Sequence, residues 1–280
     1  MFDLAQPAAA VAPQTRHQRV HGRAMVRLGE GPRAGVKDLA QAGSAKAMLP
    51  RMHGRAPEVV FLNTAGGITG GDRLSYTLEI GAGATATGTT QTAERAYRAS
   101  GGVGRIDTHL ALGAGAVLDW LPQELILFEG AALDRRLTVD MAEDAELVLL
   151  ETLVLGRAAM GETLTRLHLS DRRQVRRGGR LDMVEAIRLG ADDLVRPGSA
   201  GLNGATTLAT LTLMARDATD RLDRLRGALP TDGPVRAAAS AWEGRLTARF
   251  MAAQAYPLRR ALARAIPVLT NRPLPRVWQI

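Results

Sequence analysis

The chain has 280 residues, of which 46% are hydrophobic and only 4% aromatic, and it carries a formal net charge of +8. This length allows one large domain or two modest ones, and the apolar content is sufficient for a core of Leu, Val, Ala and Ile. Cysteine is absent, which excludes disulfides, thiolate nucleophiles and zinc sites built from cysteine.

The positive charge is almost entirely arginine, because Lys37 and Lys46 are the only lysines. The densest basic run, residues 171–180, contains a Gly-Gly pair and is interpreted as a solvated hairpin tip. A basic chain can bind nucleic acid through its phosphates, and that function stays open. The interleaving of arginine with Asp and Glu favours an acidic protein partner instead, since arginine pairs with carboxylates at interfaces.

The first 16 residues are rich in Ala and Pro and lack a basic start, which predicts a flexible N-terminal tail rather than a secretory signal. Residues 17–280 are predicted to form one β domain. No apolar run approaches the roughly 20 residues that a membrane-spanning helix needs, and the longest candidate, 147–155, contains Glu151. We therefore expect a cytoplasmic protein.

A glycine-rich segment, residues 63–72 (NTAGGITGGD), connects two predicted strands. Its glycines are Gly66, Gly67, Gly70 and Gly71. They predict tight bends, because glycine adopts positive φ and permits close approach of another backbone. A phosphate-binding loop would need Gly-Lys-Ser/Thr at the start of a helix, whereas an alternating strand follows Asp72. We interpret the segment as a structural turn that Asp72 caps.

A strand, a small-residue turn and a second strand recur at intervals of roughly 30 residues, a period typical of stacked units. The turns lie at 81–84, 113–116 and 142–145. Each second strand is followed by a polar corner, and these corners lie at 91–94, 122–124 and 151–152. Such units predict a mainly β, β-solenoid-like single domain of stacked sheets.

Helical periodicity is confined to the C-terminal third of the chain. Leucines at helical spacing predict one α-helix within 217–229 and a second within 256–266. Residues 242–250, between them, alternate in the manner of a strand.

The five histidines form no HExxH or Cys/His pattern, and they are His17, His21, His53, His109 and His168. The four-residue interval between His17 and His21 could share a metal on a helix, but both lie beside the predicted tail, which favours an ordinary role. His109 and His168 fall in alternating strands and are expected to be ordinary hydrogen-bonded histidines.

Several carboxylates fall at the ends of apolar strands, and they are Asp72, Asp119, Glu124, Glu151, Glu162 and Glu185. Two of them could act as general acid and base, as in glycosidases. A β-solenoid polysaccharide hydrolase or lyase therefore stays open as an alternative function. A serine hydrolase is not indicated, because no Gly-x-Ser-x-Gly motif occurs.

Five blocks of sequence, taken together, resemble the urease accessory protein family UreD, also called UreH. They are residues 63–74 (NTAGGITGGDRL), 89–98 (TTQTAERAYR), 118–131 (LDWLPQELILFEGA), 155–162 (LGRAAMGE) and 275–279 (PRVWQ). Their order and spacing extend over residues 20–280. One departure is Thr64-Ala65, where many members of the family carry prolines.

The resemblance implies a non-enzymatic maturation factor with a stacked β fold and two helices. Members of the family bind the urease apoprotein and, with UreF and the GTPase UreG, deliver nickel to the urease active site. A water-filled tunnel through the UreD-like protein has been proposed for the ion. The resemblance thus implies transient Ni(II) and no tightly bound cofactor, and Ni(II) accepts carboxylate, imidazole and water ligands.

The family motifs also assign residues to this role. A nickel path or complex assembly is implied for Asp72, Gln123, Glu124, Glu151, Arg157, Glu162 and Glu185, with Glu151 placed as a strand-terminal acid. The alternative that these side chains cap turns and pair with arginines such as Arg95 stays open.

Overall fold

The computed structural model describes residues 18–51, 55–157, 160–196, 198 and 200–278. The predicted tail at 1–16 lies outside these residues, as do His17 and His53. The division into tail and domain therefore stays a prediction, and so does the ordinary role that the sequence favours for His17 and His21 over a shared metal.

Numbered along the chain, the described strands are β1 (His21–Leu28), β2 (Val36–Gly43), β3 (Ala45–Met48), β4 (Glu58–Asn63), β5 (Arg73–Ile80), β6 (Thr85–Thr90), β7 (Glu94–Ala96), β8 (Gly104–Leu112), β9 (Val117–Trp120), β10 (Leu125–Leu127), β11 (Ala131–Met141), β12 (Glu146–Leu155), β13 (Leu167–Arg177), β14 (Arg180–Leu189), β15 (Thr207–Met214), β16 (Val235–Trp242) and β17 (Arg245–Ala252). The described α-helices are α1 (Ala191–Val195), α2 (Leu222–Arg226) and α3 (Ala255–Thr270).

These strands form a seven-stranded and a ten-stranded sheet. The seven-stranded sheet has the order β14-β13-β11-β8-β5-β1-β2. The ten-stranded sheet has the order β16-β17-β15-β12-β9-β6-β4-β3, with β10 and β7 paired beside β12. Strands β5, β8 and β11 pair in parallel in the first sheet, as do β6, β9 and β12 in the second.

The three predicted units are stacked, and the predicted β-solenoid-like fold is confirmed. Each unit places its first strand in the seven-stranded sheet and its second in the ten-stranded sheet. The turns between them bond to one another, for example Gly83 N–H to Ala114 O at 2.8 Å and Ala142 N–H to Leu112 O at 3.0 Å. Stacking therefore satisfies turn backbone groups that a single unit would leave open.

Two hydrophobic cores stabilise the fold. One lies between the sheets, and the other lies between the ten-stranded sheet and α3. Strand β12 serves both, because Leu147 and Leu149 belong to the first core while Val148 and Leu150 belong to the second. Burial on both faces explains why residues 147–150 of this strand are all apolar.

The predicted polar corner at 151–152 is wrong. Strand β12 continues to Leu155, so Glu151 lies in mid-strand and is buried rather than strand-terminal. A carboxylate inside a strand is tolerated here because it is paired, as described below.

The predicted helix at 256–266 is confirmed as α3, which ends at Asn271 in the left-handed conformation with φ 55°. The predicted helix at 217–229 is shorter: a 3₁₀ turn, Thr219–Arg221, leads into α2, which Gly227 follows. Glycine and the nearby Pro230 both oppose helix propagation. Helix α1 was not predicted. None of the described helices has the length and apolarity needed to cross a membrane.

Two strand predictions also change. Residues 242–250 form a hairpin rather than one strand, because Gly244 turns the chain at φ 70° between β16 and β17. Residues 171–180 are mostly strand β13, and only Gly178-Gly179 makes the turn. Asp171 and Arg173 are buried, since they alternate in phase with apolar neighbours that face the core.

Candidate functional site

A cavity of about 90 Å³ lies between the two sheets, beside the polar corners that follow β6 and β9. Its polar lining is provided by Asn63, Thr90, Thr92, Glu94, Arg95, Thr108, Gln123, Glu124, Arg135 and Glu151. Its apolar wall includes Phe61, Tyr76, Trp120 and Leu137. A volume of this size has room for several waters. The polar groups thus surround a space that a small hydrated guest can occupy.

Glu94 is the carboxylate at this cavity that lacks an arginine ion pair among the described residues. Its Oε1 accepts a long hydrogen bond of 3.4 Å from Asn63 Nδ2. Burial raises the pKa of Glu94, and the backbone N–H of Arg95, the Asn63 amide and the charge of Arg95 only partly offset that effect. Burial, and then the charge of Glu94, raise the pKa of the Tyr76 hydroxyl. Glu94 is therefore a carboxyl that readily holds a proton.

A buried donor also lines the cavity. The indole N–H of Trp120 makes no hydrogen bond of ordinary geometry with the described residues, but it lies close enough to Glu151 to lower the pKa of that carboxyl. A buried N–H without a well-formed hydrogen bond is uncommon in native proteins. Together with Glu94, it leaves hydrogen-bonding capacity for a polar guest in the cavity.

A row of ion pairs leads from the cavity into the space between the sheets. Arg135 Nη1 on β11 lies 2.6 Å from Glu151 Oε2 on β12, and its Nη2 lies 2.6 Å from Asp171 Oδ2 on β13. Burial raises the pKa of Glu151, and the nearby arginines offset this only in part. Burial also opposes ionisation of Asp171, but Arg135 and Arg173 outweigh it and lower the pKa of that carboxyl.

The row then continues toward solvent. Arg173 Nη2 donates to Asp171 at 2.8 Å, and its Nη1 lies 3.1 Å from Glu185 on β14. Glu185 also pairs at 3.1 Å with Arg249 on β17, whose side chain is 65% exposed. Alternating charges therefore extend from the cavity wall to the surface.

The corner after β9 ties the cavity to helix α3. Arg259 on α3 donates to Gln123 Oε1 and, at 2.8 Å, to Glu124 Oε1. The amide of Gln123 donates to Val277 O at 2.9 Å, and Arg259 stacks 4.6 Å above the Trp278 ring. Because α3 and the C-terminal segment converge here, the positions of the Gln123 and Glu124 side chains depend on their contacts with these two C-terminal elements.

Asp72 does not line the cavity. It is buried, and it accepts hydrogen bonds from Val20 N–H at 2.8 Å and Thr69 N–H at 2.9 Å. It thus joins the start of β1 to the glycine-rich turn. In that turn Gly66 and Gly71 adopt positive φ of 78° and 88°.

Arg157 and Glu162 form a separate cluster near the same turn. They make an ion pair of 2.9 Å, and Arg157 stacks 4.6 Å above the Phe128 ring. Phe128 meets Tyr97 edge to face with ring centres 5.0 Å apart, and the Tyr97 hydroxyl donates to Gly66 O. Four of the five sequence blocks therefore meet along this edge of the fold.

Three of the seven predicted site residues lie at the cavity, namely Gln123, Glu124 and Glu151. The other four, Asp72, Arg157, Glu162 and Glu185, lie elsewhere. Asp119, also considered as a possible acid, accepts hydrogen bonds from Nε and Nη2 of Arg272, each at 2.7 Å. Glu94 and Arg135 were missed, although Glu94 ends a polar corner that the repeat pattern had identified.

The strand histidines make ordinary contacts: His109 Nδ1 lies 3.1 Å from Thr138 Oγ1, and His168 Nε2 lies 3.3 Å from Asp134. Among the residues with described positions, no three His, Asp or Glu side chains converge in a metal-ligating group. The acids around the cavity lie singly along its wall and do not form a group.

Comparison with known proteins yields a consistent result. The family model described as UreD urease accessory protein matches residues 20–279. A urease accessory protein UreD of Jannaschia sp. (strain CCS1) is 64% identical, with 100% of both chains covered. The UreD proteins of Dinoroseobacter shibae and Chelativorans sp. (strain BNC1) are 52% and 43% identical, covering 98% and 100% of both chains.

Proposed function

Because the chain belongs to the UreD family of urease accessory proteins, we propose that it acts in urease maturation as a scaffold without catalytic turnover. In this proposal it binds the urease apoprotein and, together with UreF and UreG, assists delivery of nickel to the urease active site. Nickel is cargo that passes through the interior of the chain, and the protein works in the cytoplasm.

The observation that carries the proposal is the acid-lined cavity between the sheets. Glu94, Glu124 and Glu151 offer carboxylate oxygens to a space that has room for water. Ni(II) accepts carboxylate and water ligands. A wall that presents such ligands singly, rather than as a closed cage, suits an ion that must be released again.

Protons and arginines would compete with the ion along such a path. The raised pKa of Glu94 means that a proton competes with Ni(II) for its oxygens. At Glu151 the competitor is Arg135, whose guanidinium lies 2.6 Å away. Competition at each carboxylate keeps the affinity for Ni(II) low, so the ion passes through the cavity and is not retained there.

The same pairing argues against a polysaccharide hydrolase. Glycosidases need two carboxyl groups about 5–9.5 Å apart, one of them free to attack or to activate water. Here Glu124, Glu151 and Glu185 are each engaged by an arginine. A scaffold role needs no free carboxylate pair.

The direct test is urease activation in cells that express a urease operon with and without this chain. Omission should abolish nickel-dependent urea hydrolysis. Glu94→Gln should lower activation while the chain still folds and co-purifies with its partners, and Glu243→Gln, on an exposed hairpin tip, is the matched control. Unchanged urease activity on omission would refute the proposal, and activity on a polysaccharide panel would support the alternative.

A further inference from the structure

The outer face of the seven-stranded sheet carries two adjacent rows of arginine. Every second side chain of a strand faces outward. Each row consists of outward side chains that lie side by side on neighbouring strands, and the rows cross β1, β5, β8, β11, β13 and β14. We name this surface the arginine face, and define it by Arg23, Arg73, Arg105, Arg136, Arg172 and Arg188. All six are exposed, and none forms an ion pair with another described residue.

The charge on these two rows is one-sided. Two carboxylates, Asp107 and Asp134, lie among the six arginines, which leaves a net charge of +4 out of +8 for the whole chain. Asp134 is further engaged by His168 at 3.3 Å. Half of the net charge is thus concentrated on one flat surface.

The register places like charges directly beside each other. Arg73 on β5 is the partner of Arg105 on β8, and Arg136 on β11 is the partner of Arg172 on β13. Neighbouring strands are only about 4.8 Å apart, and like charges opposite each other destabilise a sheet. Asp134 and Asp107 lie on the other side of Arg105 and Arg136 and offset part of this repulsion. The remaining repulsion works against the stability of the free protein, and an anionic partner would relieve it.

The arginine face is about half the size of one partner's share of a protein interface. Six strands at about 4.8 Å spacing and two outward rows about 6.8 Å apart give a surface of about 400 Å², whereas each partner in an interface of standard size contributes about 800 Å². The face would therefore form the charged part of an interface, and the neighbouring outward rows of the same sheet would complete it.

We propose that the arginine face docks an acidic protein surface of the urease apoprotein, an inference that rests on the function proposed above. Its chemistry suits protein better than nucleic acid. The outward residues of these rows include no Phe, Tyr or Trp side chain on which a base could stack. Asp107 and Asp134 would repel phosphates, whereas a protein can place its own basic residues opposite them and so set the register.

The test is binding of the full chain to purified urease apoprotein at about 50 mM and about 300 mM salt, since surface charge pairs weaken with ionic strength. Arg136→Glu/Arg172→Glu should weaken binding at low salt by at least about tenfold, because reversed charges repel an acidic partner. Arg216→Glu/Arg264→Glu is the control, since both residues are exposed elsewhere and the net charge changes equally. It should bind like the parent.

Equal affinity of parent and Arg136→Glu/Arg172→Glu would overturn the inference, as would equal weakening by the control. Parent binding to a DNA duplex that is tighter than to the apoprotein and lost in the double variant would also overturn it. If the charge-reversed protein does not fold, binding of Arg136→Gln/Arg172→Gln to the apoprotein is compared with that of the parent instead, and equal affinity would again overturn the inference. A parent that fails to bind while omission still abolishes urease activation refutes only the docking surface, whereas unchanged activation on omission refutes the proposed function itself.

Discussion

Arg135 and Glu151 join the two sheets across the interior, with Nη1 and Oε2 2.6 Å apart. Each side chain also belongs to the cavity wall. Arg135 keeps a second carboxylate, Asp171, at 2.6 Å. This arrangement places one guanidinium between two buried acids, at the point where the cavity meets the row of ion pairs.

Arg135→Gln should lower the free energy of unfolding by about 3 kcal/mol, because Glu151 then stays buried without its arginine partner. The measurement is urea-induced unfolding of parent and variant. Glu185→Gln is the control, since Arg173 retains Asp171 at 2.8 Å, and its loss should be smaller. Equal stability of the parent and Arg135→Gln would show that the pair does not join the sheets.

Glu94→Gln should raise stability at neutral pH. Because the folded pKa of Glu94 is raised by burial, the native state holds a proton that the unfolded state releases. Stability therefore falls as pH rises from the ordinary glutamate value through the raised one. The neutral amide removes this dependence, so the advantage of the variant should be absent at low pH and grow across that window.

Melting temperatures of parent and Glu94→Gln across a pH series measure this difference. Asp119 and Glu151 also have pKa values raised by burial, and they are common to both proteins. The difference between the two curves thus isolates Glu94. A constant difference at all pH values would contradict the assignment.

Gly70→Ala should destabilise the fold by about 1–3 kcal/mol, the range expected for overpacking. A Cβ at this position would overlap the carbonyl oxygens of Gly101 and Gly102, and backbone atoms cannot move aside as a flexible side chain does. Gly101→Ala is the matched control, because a Cβ there meets no atom within 4 Å. Thermal unfolding of the two variants measures this difference. Equal melting temperatures would show that the backbone at Gly70 does not closely approach the carbonyl oxygens of Gly101 and Gly102.

Arg259→Lys should loosen the C-terminal segment although the charge is kept. One guanidinium bonds Gln123 and Glu124 and stacks on Trp278, and an ammonium cannot reproduce this planar geometry. Hydrogen exchange should be faster in α3 and around Trp278 than in the parent. Unchanged exchange would show that Trp278, whose indole N–H donates to Leu121 O at 3.0 Å, holds the segment alone.

Sequence reasoning predicted the stacked units because their turns repeat and their strands alternate. It also found α3, whose leucines keep helical spacing over several turns. It failed at 217–229, where Gly227 ends α2, and at 242–250, where one glycine converts apparent alternation into a hairpin. In both places a single glycine ended the helix or strand, although the pattern of apolar residues continued past it.

The site was only partly predictable for a different reason. Gln123 and Glu124 stand out because they form a polar corner after an apolar strand. Asp171 and Arg173 look solvated in an arginine-rich run, yet their alternate spacing with Leu169 and Val175 places them inside. Their partners come from other strands, and distances between strands are properties of the fold and not of local sequence.

The nickel content of urease purified from cells that express the complete operon tests the central claim most directly. With the parent chain the enzyme should contain nickel, and with Glu94→Gln it should contain markedly less, although that variant is expected to be the more stable protein. Glu243→Gln should match the parent. Full nickel loading of urease in the presence of Glu94→Gln, or in the absence of the chain, would contradict passage of the ion through this cavity.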